Sequence, residues 1–298
     1  MLLAPDHINF AELRSMLEEE YGVGSQPLVF QPLGEDSWAF HSGLFWISVR
    51  RDLRGHVPGA YEAAVELHNS GLRYVLAPLV GADGRVVREI NGSPLVVFPF
   101  VEASQTTRDS VSAQNLDQIV QMLHQVHDSR VDAELPSEDF RLSFENDLRS
   151  IFGFADDAAP AGDGLPGRLH QLLGRHRQRL QELYDEQCGL AGECLALRAD
   201  PVLTHGEPSA PNVLRTAQGF LLADWGGAMW GPPERDWFHV RRTFGHAPTG
   251  RSVVTRFYEI KWILSEVAEY SMIFRESPRE NGEIRAMWNR LTNYLPER

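Results

Sequence analysis

At Phe98-Pro99-Phe100 the apolar pattern of the chain changes period, and this switch limits the architecture more than any other feature. Elements of one kind followed by elements of the other imply an α+β fold in which strands and helices are segregated. Asp6 or Asn9 caps a first helix bearing Phe10, Leu13 and Leu17. Leu28 to Gln31, Trp38 to His41 and Leu44 to Arg50 read as strands, the last two joined at Ser42-Gly43. Pro58 then opens a helix with Tyr61, Ala64, Val65 and Leu67, stopped at Gly71. "YVLAPLV" and "PLVVFPFV" are read as two further strands, with turns at "GADGR" and "NGSP". The expectation is a small α+β lobe of five strands, with one helix after the third.

From Ser104 the pattern is helical, with stripes at Leu116, Ile119, Val120, Leu123 and Val126 and at Leu169, Leu172, Leu173, Leu180 and Leu183. Two further helical regions, roughly 249–270 and 278–292, end the sequence. Residues 1–101 are expected to form an N-terminal lobe with a hinge, and 102–298 a mainly helical C-terminal lobe. A formal charge of -13 argues against nonspecific binding to nucleic acid, which depends on neutralising phosphates with basic residues. It suits a cationic small molecule or metal ions. Cys188 and Cys194 are the only cysteines, too few for a disulfide framework. With no signal peptide and no run of 18 apolar residues, the expected protein is soluble, cytoplasmic and free of membrane, as a monomer or homodimer.

Between the helices lies "LTHGEPSAPNVLRTAQGFLLADWGG", residues 203–227, where polar groups sit among short apolar strands. Such groups require specific partners. A hairpin turning at "AQG" brings Asn212 and Asp224 toward one point. Their hard oxygens suit Mg²⁺, which is commonly held by a few protein groups plus substrate phosphates. Glu207, on a loop kept irregular by Pro208 and Pro211, is placed to face the same point from the side of an attacking hydroxyl. His205 reads as a hydrogen-bonding strut. Taken singly, Asp236 reads equally as a helix cap. Trp225, Trp230 and Trp237 offer either core packing or an aromatic wall for a cationic acceptor.

"THGEPSAPNVL", "LLADWGG" and "GPPERDWF", with "LGEDSWAF" and "VVFPF" upstream, resemble the aminoglycoside phosphotransferase and choline-kinase-like family. The similarity points in particular to the antibiotic-phosphotransferase branch that includes spectinomycin phosphotransferase. It implies a bilobal protein-kinase-like fold and Mg²⁺-dependent transfer of the γ-phosphoryl group of ATP or GTP to a small-molecule hydroxyl. Aminoglycosides, aminocyclitols and other antibiotic-like natural products are the implied acceptors. By the same resemblance Glu207 is the catalytic carboxylate, Asn212 and Asp224 are metal ligands, and Asp236 braces the catalytic loop. Gly34, Glu35, Asp36 and Ser37 fall in the loop over the phosphates. Val97, Phe98, Phe100 and Val101 belong to the hinge that meets the adenine edge, and Glu62 is the helix acid that pairs with a strand lysine.

The sequence departs from that pattern twice. Glu207 replaces an aspartate, which keeps a carboxylate of similar basicity. Ser48 stands where the third-strand lysine belongs, and Lys261 is the only lysine in the chain. Strand alternation puts Trp46, Ser48 and Arg50 on one face, so Arg50 is the first choice for the donor-phosphate contact, paired with Glu62. Arg51 and Arg54 are further choices. The missing lysine also leaves open a catalytically silent kinase-like binding module.

Overall fold

The structure is a computed structural model that describes residues 5–23, 26–32, 37–51, 53, 55–160, 164–197, 200–276 and 278–296. It divides into two compact units, Met1–Glu138 with Asp200–Thr249 and Asp139–Ala199 with Gly250–Arg298.

The first unit opens with helix α1 (Phe10–Tyr21), capped by the Asn9 side chain, which accepts from the Ala11 and Glu12 amides. Five strands follow: β1 (Val29–Gln31), β2 (Ser37–Ser42), β3 (Phe45–Arg50), β4 (Val87–Ile90) and β5 (Ser93–Pro99). They form one antiparallel sheet in the order β1-β2-β3-β5-β4, with helix α2 (Pro58–Asn69) inserted after β3. Alternation assigns the two faces. Ile47, Val49, Leu95 and Val97 pack on Leu13 and Leu17 of α1, while Val96 and Phe98 meet Tyr61 of α2.

One strand differs from the sequence reading. "YVLAPLV" forms no strand of the sheet and makes an isolated bridge, Val75 to Leu222. Its amides serve two different partners: Leu76 donates to Leu222 and Leu79 to Val97. Pro78 has no amide to give, so the segment cannot continue as a ladder. The fifth strand is instead β4, joined to β5 by the two-residue turn Asn91-Gly92 with φ of 48° and 79°. Positive φ at both turn positions matches the right-handed twist of a tight hairpin.

The same unit contains β6 (Ser104–Gln105), α3 (Ala113–His127), β7 (Val202–Thr204), β8 (Val213–Thr216), β9 (Gly219–Leu222), β10 (Met229–Gly231) and α6 (Glu234–Phe244). Strands β6, β8 and β9 form one small sheet and β7 and β10 another. Their core joins Ala60, Ala64 and Leu67 of α2 to Ile119 and Leu123 of α3 and to Trp225 and Val240. The second unit is helical: α4 (Glu145–Asp156), α5 (Leu165–Ala196), α7 (Ser252–Arg275) and α8 (Gly282–Tyr294). The α5 stripe predicted from sequence is its core, meeting Ile260, Leu264 and Val267 of α7. Among the described residues, no helix is long and apolar enough to cross a membrane.

Gly59 gives a signed test of how tightly α2 is seated. In an open helix Gly→Ala gains about 1 kcal/mol. Here a Cβ at Gly59 would overlap the Glu134 carbonyl oxygen, and the helix or that strand of chain must shift. G59A should therefore lose about 1–3 kcal/mol, seen as a lower urea midpoint at unchanged m-value.

Candidate active site

The hairpin β8–β9 performs the convergence anticipated from the sequence. Val213 lies opposite Leu222, and the Ala223 amide donates to the Asn212 carbonyl at 2.8 Å, so Asn212 and Asp224 lie diagonally across the open end. Asn212 Nδ2 donates to the Glu207 carbonyl at 2.9 Å. No hydrogen bond among the described residues engages the Asn212 Oδ1 or the Asp224 carboxylate. Asp224 adopts left-handed backbone (φ 64°, ψ 62°), a conformation that costs about 1–3 kcal/mol and persists where the surroundings enforce it. Its carboxylate is exposed. One amide oxygen and one carboxylate, both unengaged and hard, fit Mg²⁺ held by few protein groups. Glu207 is half-buried, and its Oε1 accepts from Ser209 Oγ at 3.2 Å.

Behind this edge lies Asp236, in the first turn of α6 and fully buried. Its Oδ1 accepts from the Gly206 amide at 2.8 Å, and Oδ2 from the His205 amide at 3.0 Å and from His127 Nε2 at 2.8 Å. Burial alone raises its pKa, but the bond from His127 and the surrounding positive charge prevail and hold the carboxyl at about 2. His205 uses both nitrogens: Nε2 donates to the Ala223 carbonyl at 2.9 Å, and Nδ1 accepts from the Glu207 amide at 3.3 Å. That pattern requires the neutral ring, and burial lowers its pKa accordingly. Arg235 adds a second tie, donating to Thr204 Oγ1 and to the Gly227 carbonyl, each at 2.9 Å.

A model of the phosphotransferase enzyme family matches residues 49–270. The protein StrN of Streptomyces griseus is 47% identical over 277 residues, covering 91% of this chain and 86% of StrN. The chain belongs to the phosphotransferase enzyme family.

Solved structures agree in fold. A crystal structure of spectinomycin phosphotransferase, APH(9)-Ia, superposes with a TM-score of 0.75 at 16% identity, covering 95% of this chain and 93% of that one. A choline/ethanolamine kinase family protein from Mesorhizobium loti gives a TM-score of 0.56 at 12% identity over 97% and 95%. The fold is thus the bilobal kinase-like one, with a strand-rich N-terminal and a helical C-terminal part. This phosphotransferase is an enzyme that moves a phosphoryl group from a nucleoside triphosphate to a small-molecule hydroxyl, with Mg²⁺. The silent-module alternative is set aside.

Other residues singled out from sequence fall unevenly. Gly34, Glu35, Asp36 and Arg54 lie outside the described residues, and Ser37 begins β2. Ser48 and Arg50 share the α2-facing side of β3, and both are buried. Glu62 does not pair with Arg50: it is exposed on α2, and the inward position of that turn belongs to Tyr61. The cause is helix phase, since the buried set Ala60, Tyr61, Ala64 and Leu67 turns residue 62 toward solvent.

Trp225 and Trp237 are corrected as acceptor walls. Trp225 is 0% exposed, its indole donating to the Leu222 carbonyl, and Trp237 is buried with its ring tilted against His124 and edge-on to His127. Only Trp230 retains exposed surface, with Arg130 over its ring. In the hinge, Leu79 donates to the Val97 carbonyl and Phe100 to Leu44, whereas no hydrogen bond among the described residues engages the Val101 backbone. Phe98 packs toward Tyr61, and Phe100 lies against His41. A cavity of about 340 Å³ lined by Val65, His68, Pro99, Val101 and Leu221 touches the hinge but none of the three catalytic-segment side chains.

The sequence reading left four residues of this region without a role in the site: Arg235, His127, His56 and Tyr61. Arg235 was visible inside "ERDWF", and His127 on the apolar stripe of α3, yet neither spacing revealed its partner.

Asp236 provides a test at two levels. Its carboxyl sits below the ordinary 3.8, so its stabilisation is complete above that value and disappears as the pH falls through about 2. Wild-type stability should drop between about pH 4 and pH 2, with this component missing from D236N. At neutral pH D236N should lose about 3–5 kcal/mol, because the charge is lost and an amide NH2 would face at least one of the three donors. Urea unfolding followed by tryptophan fluorescence across pH measures both.

Proposed function

We propose that the acceptor is a cationic, hydroxyl-rich natural product of the aminocyclitol or aminoglycoside type, phosphorylated in the cytoplasm, and that Glu207, Asn212 and Asp224 carry the transfer. The observation that carries the residue assignment is the bond from Asn212 Nδ2 to the Glu207 carbonyl, beside the unengaged Asp224 carboxylate. Asn212 Oδ1 and Asp224 hold the metal. When bound there, Mg²⁺ would supply positive charge that offsets the negative charge developing during transfer. Glu207 orients the acceptor hydroxyl and takes its proton as the new O–P bond forms and the bridging oxygen leaves with the nucleoside diphosphate.

In this reading residues 1–101 bind the nucleotide, with the 34–37 loop over the phosphates, Arg50 as the phosphate-binding cation and the Val97–Val101 backbone at the base. Residues 102–298 contribute the catalytic and metal-binding segment and the acceptor site, with Trp230 as its aromatic contact. Asp236 and His205 support the loop. The acidic total of -13 favours a cationic acceptor, and the related spectinomycin phosphotransferase was crystallised with ADP and spectinomycin. Loose phosphoryl-transfer transition states lean on positioning and charge, so glutamate in place of aspartate remains competent.

Mass spectrometry of an acceptor library incubated with ATP or GTP and Mg²⁺ should show one added phosphoryl group on aminocyclitols or aminoglycosides. Phosphorylation of neutral sugars alone would overturn the acceptor class. D224A should lower kcat about a thousandfold or more, at a stability loss of about 1 kcal/mol because alanine fits left-handed backbone less well than aspartate. Retention of most kcat at saturating Mg²⁺ would remove Asp224 from the metal site.

A further inference from the structure

Arg50 closes β3 and is only 7% exposed, which for a guanidinium demands organised partners. Its Nη2 lies 2.7 Å from His56 Nε2. A guanidinium has donors and no acceptor, so the shared proton is the arginine's and His56 Nε2 must be the bare nitrogen. The imidazole proton then sits on Nδ1, which is 2.8 Å from the Tyr61 hydroxyl. The arrangement admits one tautomer of a neutral ring.

The His56 and Tyr61 side chains are themselves fixed. Tyr61 is 2% exposed on the inward face of α2, packed with Val96 and Phe98. Burial raises its hydroxyl pKa, with Arg50 opposing and Asp224 adding to the shift, so the phenol stays neutral and lies within the fields of both charges. His56 lies against the backbone that follows Asp224. A Cβ on Gly226 would overlap its Nδ1, and the next amide, Val57, donates to the Gly226 carbonyl at 3.0 Å.

We propose that His56 and Tyr61 are the positioning residues for Arg50, setting the guanidinium against the Asp224 segment in place of a helix carboxylate. The proposal rests on the reading that Arg50 binds the donor phosphates. A neutral imidazole accepts from the guanidinium without cancelling its charge, so the fork is oriented while its attraction for phosphate is retained. With Glu62 turned to solvent by helix phase, the orienting group comes from the β3–α2 loop, and the helix supplies the hydroxyl that accepts the His56 Nδ1 proton. Because His56 rests on Gly226, the cation and the metal-binding Asp224 are registered to the same few residues of backbone.

The test measures Mg²⁺–ADP affinity by calorimetry, and kcat and KM for ATP, in R50A, H56A, H56Q, Y61F and R50A/H56A. On the proposal R50A weakens nucleotide binding about tenfold or more, and H56A raises KM for ATP about three- to tenfold with the acceptor KM unchanged. H56Q recovers most of that loss, because a glutamine carbonyl also accepts from a guanidinium. Y61F gives a loss of about threefold, and R50A/H56A binds no more weakly than R50A alone. Wild-type nucleotide affinity in H56A alongside an impaired R50A would overturn the positioning role and leave Arg50 as the phosphate ligand. Losses that multiply in the double variant would overturn it as well. Unchanged affinity in R50A would instead remove Arg50 itself from nucleotide binding. Should H56A fail to fold, H56F decides, since it keeps the ring and removes the acceptor: KM for ATP raised about three- to tenfold supports the role, and wild-type KM overturns it.

Discussion

The buried carboxylate of Asp236 is the interaction on which the catalytic segment depends. Its three hydrogen bonds come from two consecutive amides of the loop after β7 and from a histidine on α3. An ionised carboxylate without water is tolerable only when its lone pairs are filled by well-placed donors. Meeting that requirement turns helix α6, helix α3 and the loop at 205–207 into one rigid body. The half-buried Glu207 and the exposed Asp224 then take their placement from the elements behind them. Arg235 strengthens the same body by joining Thr204 to Gly227 across it.

From this anchor the order propagates forward along the chain and back toward the sheet. His205 binds the Ala223 carbonyl, and Asn212 receives the Ala223 amide, so the residue before Asp224 is held through both of its backbone polar groups. Asp224 can therefore be kept in left-handed backbone, which an unsupported aspartate would leave. At Gly226 the chain lies under His56, and through it reaches Tyr61 and Arg50. Buried polar groups in such a series are satisfied only together, which is why their geometry is specific.

Much of this was legible in the residues. The change from period 2 to period 3.6, the turn chemistry and the apolar stripes gave the sheet, helix α2 and the cores of both units. The hairpin turning at "AQG" located Asn212 against Asp224 because a strand register fixes which residues oppose each other. The error at "YVLAPLV" arose because an apolar run with a proline reads the same whether its amides serve one neighbour or two. The misplaced expectations for Glu62, Trp225 and Trp237 share another cause: periodicity gives a face, but which face is inward depends on what packs against it.

The sequence by itself determined the segregation of strands from helices, the family signature of the catalytic segment and the absence of a lysine from β3. These properties follow from local pattern and residue identity, which require no knowledge of distant partners. Only the tertiary structure decided that Asp236 is held by His127, 109 residues away. It alone turned Tyr61 rather than Glu62 toward Arg50 and placed His56 between them. Those outcomes depend on donors and acceptors meeting within about 3 Å, a condition set by the relative packing of whole elements and not by spacing along the chain.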